Sequence, residues 1–269
     1  MLEEDMGKIK EITEKLKESL TAENVLLTAV KTPGVKINRS NFLHKELIKF
    51  FPEDIVQQAI KFNPAKAGIA RDRINRIAQS VINYETNKVT GLSVLASLPS
   101  SAVPAAVVAA VTADITSYFA HILRVVQKLA YLYGFEAFEL NENDIDSETM
   151  NFVMVFLGVM FGVQGAGTTL QKVADIMAKH VAKSLAKKAL TKGTVFPIVR
   201  SIVAKIGIRL TKQMFADAVA SVVPIAGSVA SGALTFAMFK PCCMKLKKKL
   251  MAYQLCDPNF YTATDYQIV

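Results

Sequence analysis

Phe152-Val-Met-Val-Phe156-Leu-Gly-Val-Met-Phe161-Gly-Val163 is a run of twelve residues without a single charged or strongly polar side chain. A helix that is apolar on every side cannot face water, so this segment lies in lipid or is wrapped by protein. Twelve residues are too few to cross a bilayer alone, since a hydrocarbon core needs about 20. The run sits inside a longer window, residues 149 to 171, that contains no Asp, Glu, Lys, Arg or His, and residues 89 to 113 and 218 to 239 form two more such windows. Each window is long enough to cross a bilayer as a helix. No stretch of alternating β-branched residues argues for a sheet. The expected fold is all-α, a multi-helix bundle with apolar hairpins rich in Gly, Pro and Ala.

Outward from that run, helical signals recur. Residues 2 to 20 carry Leu2, Met6, Ile9, Ile12, Leu16 and Leu20 at helical spacing, with acids first and lysines later, which suits the helix dipole. Pro52 followed by Glu53 and Asp54 reads as a helix start with Ile55, Val56, Ala59 and Ile60 inward, and Asn63-Pro64 ends it. From Pro64 to about Asn87, Ile69, Ile74, Ile77, Ala78, Val81 and Ile82 alternate with Arg71, Arg73 and Arg76, a helix with a basic face. Pro99 and Pro104 divide the first window, because each removes a backbone donor, and a helical hairpin or kinked pair is expected there. A helix from Asp114 to about Tyr133 follows and ends at Gly134. Asp146 or Ser147 caps the second window, and further helices are expected from Thr169 to Leu190 and from Pro197 to Lys212. Three regions result: 1–88, an amphipathic helical part; 89–250, an apolar and basic helical core; and 251–269, a tail.

The net charge of +9 is unevenly spread. Residues 172 to 250 hold 15 basic residues against two acidic ones, whereas residues 1 to 171 hold 17 against 19. A basic half beside apolar segments suits anionic lipid headgroups; no recognised nucleic-acid module accompanies it, so nucleic acid is not expected. The third window runs into Lys240 and then Lys245, Lys247, Lys248 and Lys249, an apolar helix with a cationic end of the kind that anchors at a membrane surface. The expected lipid contacts are Lys179, Lys183, Lys187, Lys245, Lys247, Lys248 and Lys249, with Phe152, Phe156 and Phe161 as apolar contacts.

Candidate chemistry is sparse. Asp114, Ser117, His121 and Arg124 fall at i, i+3, i+7 and i+10, which aligns them on one helix face. Nucleophilic catalysis needs such groups to converge from different elements, so they read as a buried polar site or seam, not a triad. Gly162-Val-Gln-Gly-Ala-Gly167 lacks the preceding strand and the Lys-Ser/Thr ending of a phosphate loop and reads as helix packing or a bend. His44, His121 and His180 have no second ligand at metal spacing, and adjacent Cys242 and Cys243, with Cys256, match no zinc or redox motif. These thiols read as reduced and cytosolic. The acidic opening Met1-Leu-Glu-Glu-Asp is unlike a secretory signal. No catalytic residue, metal or cofactor is expected, and the chain reads as a non-enzyme.

Two stretches carry a likeness to a known family. Ala113-Asp-Ile-Thr-Ser-Tyr118 with Gln127-Lys-Leu-Ala-Tyr-Leu-Tyr-Gly-Phe135, and Pro224-Ile-Ala-Gly-Ser-Val-Ala-Ser-Gly-Ala-Leu-Thr-Phe-Ala-Met-Phe-Lys-Pro241, resemble the EcsC family of bacterial proteins and the YcjF-type helical proteins that accompany some bacterial GTPases. The likeness covers about residues 89 to 250. It implies a bacterial, membrane-associated helical protein with no catalytic residues to carry over, partnered by a separate GTPase or membrane protein. Two readings follow from residues and resemblance together. The first is a protein bound to or inserted into anionic lipid at the cytoplasmic face of the cell membrane through apolar hairpins and lysine clusters. The alternative is a soluble cytoplasmic bundle that encloses a lipid or other apolar ligand.

Overall fold

The computed structural model describes residues 22–95, 104–138, 140, 147–179 and 227–265, with residues 7, 200, 201 and 204 standing alone. Among these residues there are nine α-helices, one 3-10 turn and no strand. In chain order the helices are α1 (Ala22–Lys31), α2 (Arg39–Leu47), α3 (Glu53–Lys61), α4 (Arg71–Leu95), α5 (Pro104–Leu132), α6 (Ser147–Phe161), α7 (Ala166–Ala178), α8 (Gly227–Leu250) and α9 (Pro258–Asp265), with the 3-10 turn at Gln254–Cys256. The helix expected over residues 2 to 20 lies outside the described residues apart from Gly7, as do residues 180 to 199 and the expected basic helix from 197 to 212 apart from Arg200, Ser201 and Ala204.

The proline-divided window belongs to two helices: α4 ends at Leu95 and α5 begins at Pro104, where the missing N–H costs nothing. α5 therefore starts ten residues before the expected Asp114. α7 begins at Ala166, three residues earlier than expected, because Gly162 (φ 68°) and Gly165 (φ 83°) take left-handed conformations and turn the chain sharply after α6. α8 runs through Pro241 to Leu250 at the cost of one backbone hydrogen bond.

The chain forms two units from interleaved segments. The first comprises Met1–Val35, Tyr84–Leu123 and Val203–Pro241, the second Lys36–Asn83, Arg124–Ile202 and Cys242–Val269. The composition boundary at 88 falls inside α4, while that at 250 coincides with the end of α8. In the first unit, the buried stripe of α4 includes Glu85 and Val89, α5 contributes Ile115, Phe119 and Ile122, and Tyr118 meets the ring of Phe239 on α8 edge-on at 5.7 Å.

The second unit is organised by the last third of α5. Val125, Val126, Leu129, Ala130, Tyr131 and Leu132 are all buried, together with Gln127 and Lys128, so this stretch has no solvent face. Two polar bonds of this region lie within the unit: the Gln127 Oε1 accepts the Ile37 N–H at 2.9 Å, and the Tyr133 hydroxyl donates to Asn75 at 2.7 Å. α2 packs on α3 and α6 on α7, while α7 also meets the 3-10 turn. The Arg39 guanidinium donates to the carbonyls of Ile60 (2.6 Å), Phe62 (3.0 Å) and Phe135 (3.2 Å), capping α3 with charge-assisted bonds. Gly134 (φ 94°) turns the chain out of α5, and a Cβ there would lie 3.0 Å from the Leu255 carbonyl.

The quoted run at 152 to 163 is mostly core. Phe156 is 0% exposed and Phe161 4%, and the Phe156 ring sits 5.1, 5.5 and 5.0 Å from those of Phe135, Phe138 and Phe152. The absence of charge from 153 to 161 is accounted for by protein packing. Among the described residues no helix is long and apolar enough to cross a membrane. α6 is only 15 residues long, and the longer α5 carries Asp114, His121, Arg124 and Lys128.

Candidate functional site

The end of α8 carries an exposed cluster of like charge that the sequence singled out. Lys245, Lys248 and Lys249 are exposed and sit at i, i+3 and i+4, which brings them to one face of the helix. None of the three is in an ion pair among the described residues, and residues 227 to 250 contain no acid to oppose them. Lys248 and Lys249, in the last turn, also offset the negative end of the helix dipole.

Lys247 behaves differently. It points toward α4, half-buried, and its ammonium donates to the Gln79 side chain at 2.9 Å. Burial lowers its pKa from the ordinary lysine value, because desolvation disfavours the charged form. Four lysines that look equivalent in sequence therefore divide into three that face water and one that ties α8 to α4.

The turn between α6 and α7 lies beneath this face. A Cβ on Gly162 would lie 3.9 Å from the Lys245 ammonium, and one on Gly167 would lie 3.1 Å from Lys249 Cε. Small residues here leave room for the lysine arms to lie along the turn. The Tyr253 hydroxyl donates to the Gly167 carbonyl at 3.0 Å and holds the segment after α8 against the start of α7. α7 begins without a side-chain cap and without an acid in its first turn, so its partial positive end is unscreened beside the lysines. Lys172 on that helix and Lys179 just past its end are exposed, whereas Lys183 and Lys187 lie outside the described residues.

Phe156 and Phe161, expected as lipid contacts, are interior side chains and Phe152 is half-buried, because α6 packs its apolar circumference against α5-proximal aromatics and α7. In this conformation these rings meet protein.

The polar line on α5 is only partly a site. Asp114, Ser117 and Arg124 are half-exposed, and His121 is 6% exposed. His121 Nδ1 lies 2.6 Å from the carboxylate of Glu85 on α4, which is 0% exposed. The partner of His121 is thus on another helix and was missed in the linear reading. A signal for it exists: Ala78, Ile82, Glu85 and Val89 follow i, i+4, i+7, i+11 spacing, which puts a carboxylate in the middle of an apolar stripe. A buried acid of this kind needs a partner. The pair joins α4 to α5 inside the first unit.

The cysteines are buried and form no disulfide. Burial pushes the Cys256 thiol up to about 11, and its Sγ donates to the Tyr253 carbonyl at 3.1 Å, so the reactive thiolate is suppressed. Among the described residues no group of three or more His, Cys, Asp or Glu side chains could hold a metal. Comparison with family models, with curated proteins and with solved structures finds no match to this chain.

Proposed function

We propose that this is a non-enzymatic helical protein that binds the surface of an anionic membrane peripherally, through the face formed by Lys245, Lys248 and Lys249. One observation carries the reading: three exposed ammonium groups converge at the end of α8 with no acid on that helix. Each basic residue near an anionic leaflet contributes about 1 kcal/mol, so such a face attaches a protein without a membrane-crossing segment. The likeness of residues 113 to 118, 127 to 135 and 224 to 241 to EcsC proteins supports a bacterial setting and the cytoplasmic leaflet. The burial of residues 153 to 161 supports attachment through the lysines in preference to an inserted hairpin.

The test is co-sedimentation of the full chain with phosphatidylcholine vesicles, with and without phosphatidylglycerol. Pelleting that requires phosphatidylglycerol and is reversed by high salt supports the proposal; equal pelleting with neutral vesicles, or none with either, refutes it. The burial of the α6 run also favours a second reading, a bundle that encloses an apolar ligand. Mass spectrometry of protein purified without detergent tests it, since a carrier retains a stoichiometric apolar molecule.

A further inference from the structure

Three arginines near the start of α4 share one chemistry and differ in their surroundings. Arg71 is committed, with its guanidinium 2.9 Å from the Asp257 carboxylate, whereas Arg73 and Arg76 are exposed. Neither of the exposed two makes an ion pair among the described residues, and Asp72 is the one acid between residues 71 and 83.

Two contacts fix where Arg76 lies. Arg71 meets Asp257, beyond the end of α8, and the Gln79 side chain accepts from the Lys247 ammonium at 2.9 Å, near the end of α8. Positions that advance along α4 thus meet positions that recede along the chain of α8, so the two segments run antiparallel. Arg76 falls between the contacts, about 4.5 Å of helix rise before Gln79. Residues three apart share a helix face, which puts Arg76 on the exposed side of α4 that borders α8. The support is well held: between the same two contacts Asn75 accepts the Tyr133 hydroxyl at 2.7 Å, and Gln79 donates to Asn83 at 3.2 Å. On α8, Met244 lies three residues before Lys247 and is 37% exposed, and Lys248 is the neighbouring exposed base. All of these residues belong to the second unit.

We infer that α4 and α8 form one continuous lipid-binding face, with the Arg76 guanidinium on a phosphate of an anionic leaflet and Met244 as the apolar contact between the bases of the two helices. The inference rests on the surface-binding reading and extends it to a second helix through a named residue. Its basis is complementarity: a guanidinium makes charge-assisted hydrogen bonds to phosphate oxygens, and an exposed thioether among cations gains from entering the headgroup layer, which a nucleic-acid backbone does not offer it.

Arg76→Gln is expected to weaken binding to phosphatidylcholine–phosphatidylglycerol vesicles about fivefold, the equivalent of ~1 kcal/mol. A loss of overall charge could weaken binding from any position, so a second measurement reads the place itself. The chain has no tryptophan, and Ser80→Trp, one turn from Arg76 on the exposed side of α4, introduces a single fluorescent reporter while keeping every base. Its emission is expected to become shielded from acrylamide when the protein is bound to vesicles. Binding of Arg76→Gln equal to that of the parent, or a tryptophan at position 80 that stays open to acrylamide on the vesicle-bound protein, overturns the extension to α4 and leaves the α8 reading standing. Absence of vesicle binding by the parent overturns both, whether or not the protein takes up a single-stranded oligonucleotide.

Discussion

Replacing Lys245, Lys248 and Lys249 together with glutamine should weaken binding to phosphatidylglycerol-containing vesicles on the order of 100-fold. Each of these ammoniums is exposed and has no ion pair among the described residues, so each should deliver the full surface contribution of about 1 kcal/mol, roughly 3 kcal/mol in all. Lys247 is the internal control. Its ammonium is committed to Gln79 at 2.9 Å, so Lys247→Gln should change vesicle affinity by no more than about twofold while lowering folding stability by about 1 kcal/mol. The assay is a co-sedimentation titration of lipid at constant ionic strength, repeated in high salt, with urea denaturation followed by circular dichroism for stability. At about 1 M salt the Debye length contracts to about 3 Å, and the parent and triple variant should converge. The reasoning fails if Lys247→Gln weakens binding as much as any of the other three, since affinity would then not follow exposure; it also fails if the triple variant binds as the parent does.

Phe156→Ala should destabilise the protein by about 3–5 kcal/mol in detergent-free buffer, because the ring is fully buried among Phe135, Phe138 and Phe152, and a loss below about 1 kcal/mol in chemical denaturation would show that the ring is not core. His121→Ala should cost about 3–5 kcal/mol by removing the imidazole 2.6 Å from the buried Glu85 carboxylate, and Glu85→Gln in that background should recover part of the loss; additive losses in a double-mutant cycle would contradict the pairing. Burial pushes the Tyr131 hydroxyl up to about 12, and raises those of Tyr133, Tyr253 and Tyr261. A phenol whose folded pKa lies above its unfolded value of about 10 contributes fully below pH ~10 and progressively loses that contribution as pH climbs through the folded value. Stability should therefore fall from about pH 10 upward, with phenolate absorbance lagging behind that of the unfolded chain; coincident titration of folded and unfolded protein would refute it.

Local pattern was enough to determine the helical class, the end of α5 at Gly134 and the basic end of α8, while the glycines from 162 to 167 suited helix packing and a bend equally until their left-handed φ angles selected the bend. Period, glycine and proline placement, and charge are properties of neighbours in the chain, and these were readable directly. The polar face of α5 was legible for the same reason, yet His121 was assigned to a line of residues on its own helix when its close partner is Glu85, 36 residues earlier. Which helix lies opposite is a long-range matter that spacing along one helix does not encode. The same limit explains the charge-free run at 152 to 163: lipid and a protein interior are both apolar, so composition alone leaves them equivalent. Only the packing of Phe135, Phe138 and Phe152 around Phe156 selects protein. It likewise took the approach of Gln79 to separate Lys247 from three neighbours of identical chemistry, because the environment of a charge is set by what folds against it.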